Sequence, residues 1–207
     1  MENGVSLADR TVERTLAVRQ TAYADEVRRL IAAGIAVMQR TGGESPRVSD
    51  IVEEAGLSNQ AFYRHFRGKD ELLAAILDDG LRTLLDYLGH QMAKERAPEA
   101  RIKRWIEGIM AQATDPKAAE ATRAVTLNSS RLAEEFATET RRSQELLRGL
   151  LTEPLAALGS ADAVRDGQAI YQLVLATMHD NLWRRERPRR ADVAHLVTFC
   201  LNGISKS

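Results

Sequence analysis

Residues 47–73 read RVSDIVEEAGLSNQAFYRHFRGKDELL, and this stretch decides how the first part of the chain folds. Its apolar residues recur at helical spacing and predict a short amphipathic helix carrying Val48, Ile51, Val52 and Ala55. Gly56 supplies the backbone freedom of a tight turn, and Ser58 is a good N-cap for a second helix. A helix, a three-residue turn with glycine and a capped helix form the helix-turn-helix pattern.

The second helix, predicted over about residues 59–66, has an apolar side and a polar side. Phe62 and Phe66 are four residues apart, so they share one side of the helix and can pack inward. The opposite half carries Gln60, Tyr63, Arg64 and Arg67. This helix therefore presents a polar face outward while its aromatic pair joins a core.

The polar face favours duplex DNA as its partner. Residues 58–69 contain three basic residues and no acidic one, in a chain whose 29 basic and 29 acidic side chains cancel. Arginine and lysine here can neutralise phosphates, while Tyr63, His65 and Ser49 can form hydrogen bonds to them. Asn59 and Gln60 lie at the helix N-terminus, where an amide can pair with N6 and N7 of adenine. The predicted DNA-binding residues are Ser49, Ser58, Asn59, Gln60, Tyr63, Arg64, His65, Arg67 and Lys69.

The rest of the chain is also predicted to be helical. Apolar residues recur at helical spacing in segments 27–38, 73–88, 102–113, 146–158, 171–182 and 193–204, the fourth interrupted or kinked at Pro154. No segment shows sustained alternation of β-branched residues, so no sheet is predicted. Residues 1–22 have a weaker pattern and carry Arg10, Arg14 and Arg19. They are interpreted as an arm or a frayed extension of the first helix, either without a role or in contact with DNA.

Composition and motif content argue against several other classes of protein. Hydrophobic residues make up 44% of the chain, which is ordinary for a globular protein, and no apolar run approaches the roughly 18 residues of a membrane span. The four histidines are scattered, and the single cysteine cannot form an internal disulfide. Phosphate-binding glycine loops and the GxSxG elbow are absent. We therefore expect a cytoplasmic protein that is not an enzyme and has no catalytic residue, metal or cofactor.

Residues 56–73, GLSNQAFYRHFRGKDELL, resemble the recognition-helix signature of the TetR family of bacterial repressors. The resemblance lies in the glycine, the small apolar corner, the aromatic-tyrosine pair, the His-Phe pair and the Lys-acid-Leu-Leu run, and it covers about residues 27–77. Two features depart from the family pattern: Val52 stands where alanine is common, and Arg47-Val48-Ser49 lacks a frequent threonine.

The resemblance implies an all-α chain with two domains. A three-helix helix-turn-helix DNA-binding domain would occupy residues 23–70, after an arm at 1–22. A larger helical ligand-binding and dimerisation domain would occupy residues 71–207. The resemblance implies DNA-facing positions for Ser49, Asn59, Gln60, Tyr63, His65 and Lys69. It also implies that the last two helices pair with their copies in a homodimer, which suits a palindromic site with half-sites about one turn apart.

A small-molecule effector is also expected, in a mostly apolar pocket with a few polar groups. The candidate ligand-binding residues are Leu84, Leu88, Trp105, Ile109, Leu127, Tyr171, Leu175 and His179. Each of them can equally well be part of an ordinary core. The function expected is therefore a ligand-responsive repressor. The alternatives are a constitutive helix-turn-helix DNA-binding protein with a solid C-terminal core, and a helical ligand carrier.

Overall fold

The computed structural model describes residues 6–41, 46–116, 118–123, 126 and 137–204. Within these ranges the chain is helical and has no strands, which confirms the all-α fold class. The helices are α1 Leu7–Arg40, α2 Val48–Ala55, α3 Asn59–His65, α4 Lys69–Ala93, α5 Pro98–Thr114, α6 Ala137–Gly149, α7 Thr152–Ala157, α8 Ala163–Arg184 and α9 Arg190–Asn202. Residues 118–123 are helical as well.

The N-terminal helices share one core. The C-terminal part of α1 packs against α2, α3 and the beginning of α4. Leu30, Ile51, Phe62 and Leu72 are fully buried where these four helices meet. Burial of each large apolar side chain contributes about 1.5–3 kcal/mol of transfer free energy. The cluster can therefore hold these helices in one arrangement.

The C-terminal helices share a second core, in which α5 is central. α5 packs against α4, α7, α8 and α9. Trp105 and Ile109 of α5 are buried, and the indole Nε1 of Trp105 donates a hydrogen bond of 3.0 Å to the carbonyl of Leu147 on α6. That bond satisfies the polar atom of an otherwise apolar side chain and ties α6 to α5.

The 25-residue helix α4 belongs to both cores. Leu72, Leu73 and Ile76 near its beginning are buried in the N-terminal core, whereas Leu88 and Met92 near its end are buried in the second. At 1.5 Å per residue the helix is about 37 Å long. The two cores are therefore joined by one continuous helix.

One local prediction needs correction, and for another the structure favours one of its two alternatives, the extension of the first helix. The interruption expected at Pro154 lies earlier in the chain, because α6 ends at Gly149 and Pro154 falls within α7. Proline is tolerated there since the first turn of a helix needs no amide donor. The segment 7–22 continues α1 without a break, with residues 10–25 all exposed, and residues 1–5 lie outside the described ranges.

Among the described residues, no helix combines the length and the apolar character that crossing a bilayer requires.

Candidate DNA-binding surface

The turn between α2 and α3 is built by Gly56 and Ser58. Gly56 has φ 60° and ψ 41°, a left-handed conformation that favours glycine, and its amide bonds back to carbonyls of α2. Ser58 is extended, and its hydroxyl oxygen accepts a hydrogen bond of 3.1 Å from the amide of Ala61. The left-handed residue ends one helix, and the serine starts the next as predicted.

Arg29 of α1 holds this turn from behind. Its Nε and Nη2 donate hydrogen bonds of 3.1 and 2.5 Å to the carbonyl of Ala55, and Nη2 donates another of 3.0 Å to the carbonyl of Gly56. The guanidinium therefore covers the carbonyl end of α2, where a cation is favourable because the helix dipole is negative. The angle between α2 and α3 is thus fixed by a side chain 26 residues earlier in the chain.

Burial of Phe62 sets the rotation of α3. Phe62 is fully buried beside Phe66, with ring centroids 5.8 Å apart. Tyr63, the next residue, is 60% exposed, and its ring meets the ring of Phe62 edge-on at 5.2 Å. Asn59, Gln60 and Arg64 are exposed as well. The outer face of α3 is therefore a row of amide, phenol and guanidinium groups that are accessible to a partner.

The C-terminal end of α3 is tied to α1 through Glu26. One carboxylate oxygen of Glu26 lies 2.6 Å from Nε2 of His65 and 3.3 Å from Nη1 of Arg64. Tyr23 adds an edge contact to the His65 ring at 5.6 Å, and the guanidinium of Arg64 lies over the Tyr23 ring at 5.7 Å. The His65 hydrogen bond, aided by the nearby Arg64 charge, lowers the pKa of Glu26 below its ordinary value of 4.5. The ionised carboxylate, and with it this pairing, is therefore lost as the pH falls through that lowered pKa.

The remaining predicted DNA contacts flank α3. Arg67 is exposed in the link to α4, and its backbone amide donates a hydrogen bond of 2.6 Å to a carboxylate oxygen of Glu71. Lys69, the first residue of α4, is half-buried. Ser49 is exposed at the beginning of α2, where its hydroxyl donates a 3.1 Å bond to Asp50.

The structure thus brings eight of the nine predicted DNA-binding residues to the surface formed by α3 and its flanks, but it gives His65 a different surrounding. The His65 side chain is only 9% exposed and faces Glu26 and Tyr23. Its contact with DNA stays a prediction, as do those of the other eight. Sequence reasoning missed Glu26 and Arg29. The available signal was their spacing from Leu30 and Ala33, which puts both charges on the inner side of α1.

Six of the eight candidate ligand positions lie in the C-terminal core, whereas His179 on α8 is exposed. Leu88, Trp105 and Ile109 are buried in this core, with Leu84, Tyr171 and Leu175 packed against them. The ring centroids of Trp105 and Tyr171 are 6.4 Å apart. Partial burial raises the pKa of Tyr171 and lowers that of His179, so both groups favour their neutral forms. Leu127 lies outside the described residues.

Comparison with known proteins adds an independent observation to this geometry. Residues 30–76, from the C-terminal third of α1 to the first two turns of α4, match the family model described as bacterial regulatory proteins, tetR family. The chain therefore carries a TetR-family helix-turn-helix domain in this segment. It is accordingly a DNA-binding regulator of transcription with a helix-turn-helix domain.

Solved structures extend the likeness of this chain beyond the matched domain. The fatty acid degradation regulator FadR from Bacillus halodurans is 20% identical, covering 88% of this chain and 97% of its own, with a TM-score of 0.71. FadR from Bacillus subtilis in complex with stearoyl-CoA is 18% identical, covering 84% and 95%, with a TM-score of 0.64. The reduced form of Escherichia coli NemR is 17% identical, covering 87% and 98%, with a TM-score of 0.68. These identities show a shared fold. No curated protein matches the sequence.

We predict that Arg29→Met lowers the free energy of unfolding by about 1.5–3 kcal/mol, because the carbonyls of Ala55 and Gly56 lose hydrogen bonds to a charged donor. Methionine retains the apolar stem, so the change isolates the guanidinium. Urea denaturation followed by circular dichroism measures the loss.

The matched control is Arg28→Met. Arg28 is the neighbouring residue, its side chain is 70% exposed, and it pairs with Asp25 on the same helix. This variant should stay within about 0.5 kcal/mol of the parent. Equal losses of unfolding free energy in the two variants would show that the hydrogen bonds from Arg29 to the turn contribute no specific stability.

Proposed function

We propose that the chain is a cytoplasmic homodimeric repressor that binds palindromic operator DNA through α3 and leaves it when a small molecule binds. The observation that carries the DNA-binding part is the division of α3 into a buried Phe62 and an exposed Gln60–Tyr63–Arg64 face. Amide and phenol groups on such a face suit base edges and phosphates. Arg67 and Lys69 supply further cations beside it.

An exposed apolar face on the last two helices supports the homodimer. Trp183 of α8 is 76% exposed and Phe199 of α9 is 61% exposed, values that are unusual for large aromatic side chains in a monomer. On α8 the exposed Leu173 lies about 80° around the helix from Trp183, and on α9 His195 lies one turn before Phe199. Paired with its copy, this face would bury both aromatics in a four-helix bundle.

A dimer also suits the size of the reading element. α3 has only seven residues, so one copy reaches a few base pairs. Two copies related by a twofold axis read two half-sites about 34–36 Å apart, which is one turn of duplex. The operator proposed is therefore a palindrome whose half-sites have that separation or a multiple of it.

The effector part of the proposal rests on α4. Its C-terminal half packs beside Trp105 and Ile109, and its N-terminal half belongs to the DNA-binding domain. A ligand inserted among Leu84, Leu88, Trp105, Ile109, Tyr171 and Leu175 would displace α4 and change the separation of the two recognition helices. Binding of stearoyl-CoA by the structurally similar Bacillus subtilis protein is consistent with a ligand-responsive domain of this shape.

A constitutive DNA-binding protein with a solid C-terminal core is the alternative, because Leu88, Trp105 and Ile109 are already well packed. Operator affinity measured across a metabolite library separates the two. A compound that lowers the affinity while the dimer stays intact supports the repressor with an effector. A library without such a compound supports the constitutive protein.

The DNA-binding proposal is tested on a duplex selected from the DNA upstream of the coding sequence or from a random pool. Gln60→Ala should relax discrimination at one or two base pairs by about 1–3 kcal/mol, because it removes an amide contact to a base edge. Tyr63→Phe should weaken binding to all duplexes by the same factor, because it removes a hydrogen bond to a phosphate. Fluorescence anisotropy on matched and single-mismatch duplexes measures both effects.

Tyr87→Phe is the control, since Tyr87 is a 47%-exposed tyrosine of α4 outside the proposed surface. It should bind every duplex as the parent does. Identical discrimination profiles for Gln60→Ala and Tyr63→Phe would contradict the proposed separation of base and phosphate contacts.

The dimer proposal predicts that Phe199→Glu dissociates the protein to the 23.0 kDa monomer. A charge at the centre of an apolar interface should cost at least about 2 kcal/mol of association free energy. Sedimentation velocity measures the mass. Val164→Glu serves as the control, because Val164 is 64% exposed on α8 but lies 19 residues before Trp183, about 28 Å away along the helix. A dimer that survives Phe199→Glu, or one that Val164→Glu dissociates equally, contradicts this interface.

A further inference from the structure

An open groove runs between α5 and α9, away from the candidate ligand positions. Its volume is about 900 Å³, within the range of small-molecule sites. Lys103 and Thr114 mark its two ends on α5, about 16 Å apart at the helical rise. None of the candidate ligand positions named above lines this groove.

The floor of the groove is apolar. Met110 of α5 and Val193 and Val197 of α9 line it, and Met110 and Val197 are buried below the surface. Pro188 of the loop between α8 and α9 adds a further apolar group. The water-facing parts of Val193 and Pro188, which are only partly buried, gain from covering by a hydrocarbon chain at about 25 cal/mol for each Å² removed from water.

The rim of the groove is basic. Four cationic side chains, Lys103, Arg187, Arg189 and Arg190, line it beside one acid, Glu107. Arg189 pairs with Asp192, and Lys103 lies 3.8 Å from Glu107. Arg187 and Arg190 have no ion pair within the described residues, and both are exposed.

This combination separates the groove from other surfaces of the protein. A neutral apolar ligand would leave two arginines without a partner, and a small anion alone would leave the partly exposed Val193 and Pro188 in water. Arginine binds phosphate and carboxylate oxygens in a bidentate manner, which favours an anionic group at the loop end. A chain attached to that group would follow α5 along the floor.

We propose that the groove between α5 and α9 binds a soluble single-chain amphiphile with a phosphate-type anionic head, the head on Arg187 and Arg190 and the chain on Met110, Val193 and Val197. The site is distinct from the effector pocket proposed above. The proposal depends only on the cations and the apolar floor of this groove, so ligand binding is tested in the absence of DNA.

The experiment is isothermal titration of the full-length protein with dodecyl phosphate below its micelle concentration. Binding of one molecule per chain is expected, weakened at least tenfold in Arg187→Gln/Arg190→Gln and reduced by added salt, because rim charges are screened. The matched control is Arg141→Gln/Arg142→Gln, which removes two exposed arginines of α6 outside the groove and should leave the affinity unchanged. Thermal melting verifies that both double variants are folded.

Three further probes separate the head from the chain, and anionic lipid vesicles separate the groove from a membrane surface. Dodecyl maltoside and dodecyltrimethylammonium carry the chain without an anion, and inorganic phosphate carries the anion without a chain. Each should bind at least tenfold more weakly than dodecyl phosphate. Equal binding of any of these probes, an unchanged affinity in Arg187→Gln/Arg190→Gln, or the absence of dodecyl phosphate binding overturns the proposal. Capture by anionic lipid vesicles without binding of monomeric dodecyl phosphate overturns it in favour of a membrane surface. Each of these results leaves the DNA-binding proposal intact.

Discussion

Burial of Phe62 is the constraint on which the DNA-binding domain depends. Its ring is inaccessible to solvent and packs with Phe66 in the core that α1, α2 and α4 complete. Truncating a buried phenylalanine costs about 3–5 kcal/mol, so α3 cannot rotate away from this position at small cost. Successive residues of a helix are 100° apart. Fixing Phe62 inward therefore turns Tyr63, Arg64 and Gln60 outward.

Contacts from α1 complete this arrangement at both ends of α3. Arg29 donates hydrogen bonds to the carbonyl end of α2, at the turn before α3. Glu26 contacts His65 and Arg64 at the C-terminal end of α3. A seven-residue helix is too short to be stable alone. Its position is consequently a property of the whole three-helix unit, and α4 joins that unit to the second core through one continuous helix.

Much of this organisation could be predicted from the sequence because it depends on residues that are close together in the chain. Helical spacing of apolar residues predicts the all-α class, and the Gly56–Ser58 turn with the Phe62–Phe66 pair predicts the helix-turn-helix and the side of α3 that faces inward. The contacts of Glu26, Arg29 and His65 were not predictable in the same way. They join residues 26 to 39 positions apart, and only packing brings them together.

Other features depend on how whole elements meet. The break after Gly149 was predicted at Pro154, because proline interrupts a helix in its interior but is tolerated in a first turn. The groove between α5 and α9 joins side chains from two separated segments. Periodicity identifies the apolar stripe of each helix, yet it cannot show where a second helix leaves part of that stripe uncovered.

The central claim is that duplex DNA covers the outer face of α3. It is tested most directly by the rate at which a maleimide reacts with Gln60→Cys in the presence and absence of excess duplex at low salt. The native Cys200 is buried, and burial raises the pKa of its thiol to about 11, so it reacts slowly. The account predicts that duplex slows modification at position 60 several-fold and leaves Gln144→Cys on α6 unaffected. Unchanged reactivity at position 60 in a protein saturated with DNA would contradict it.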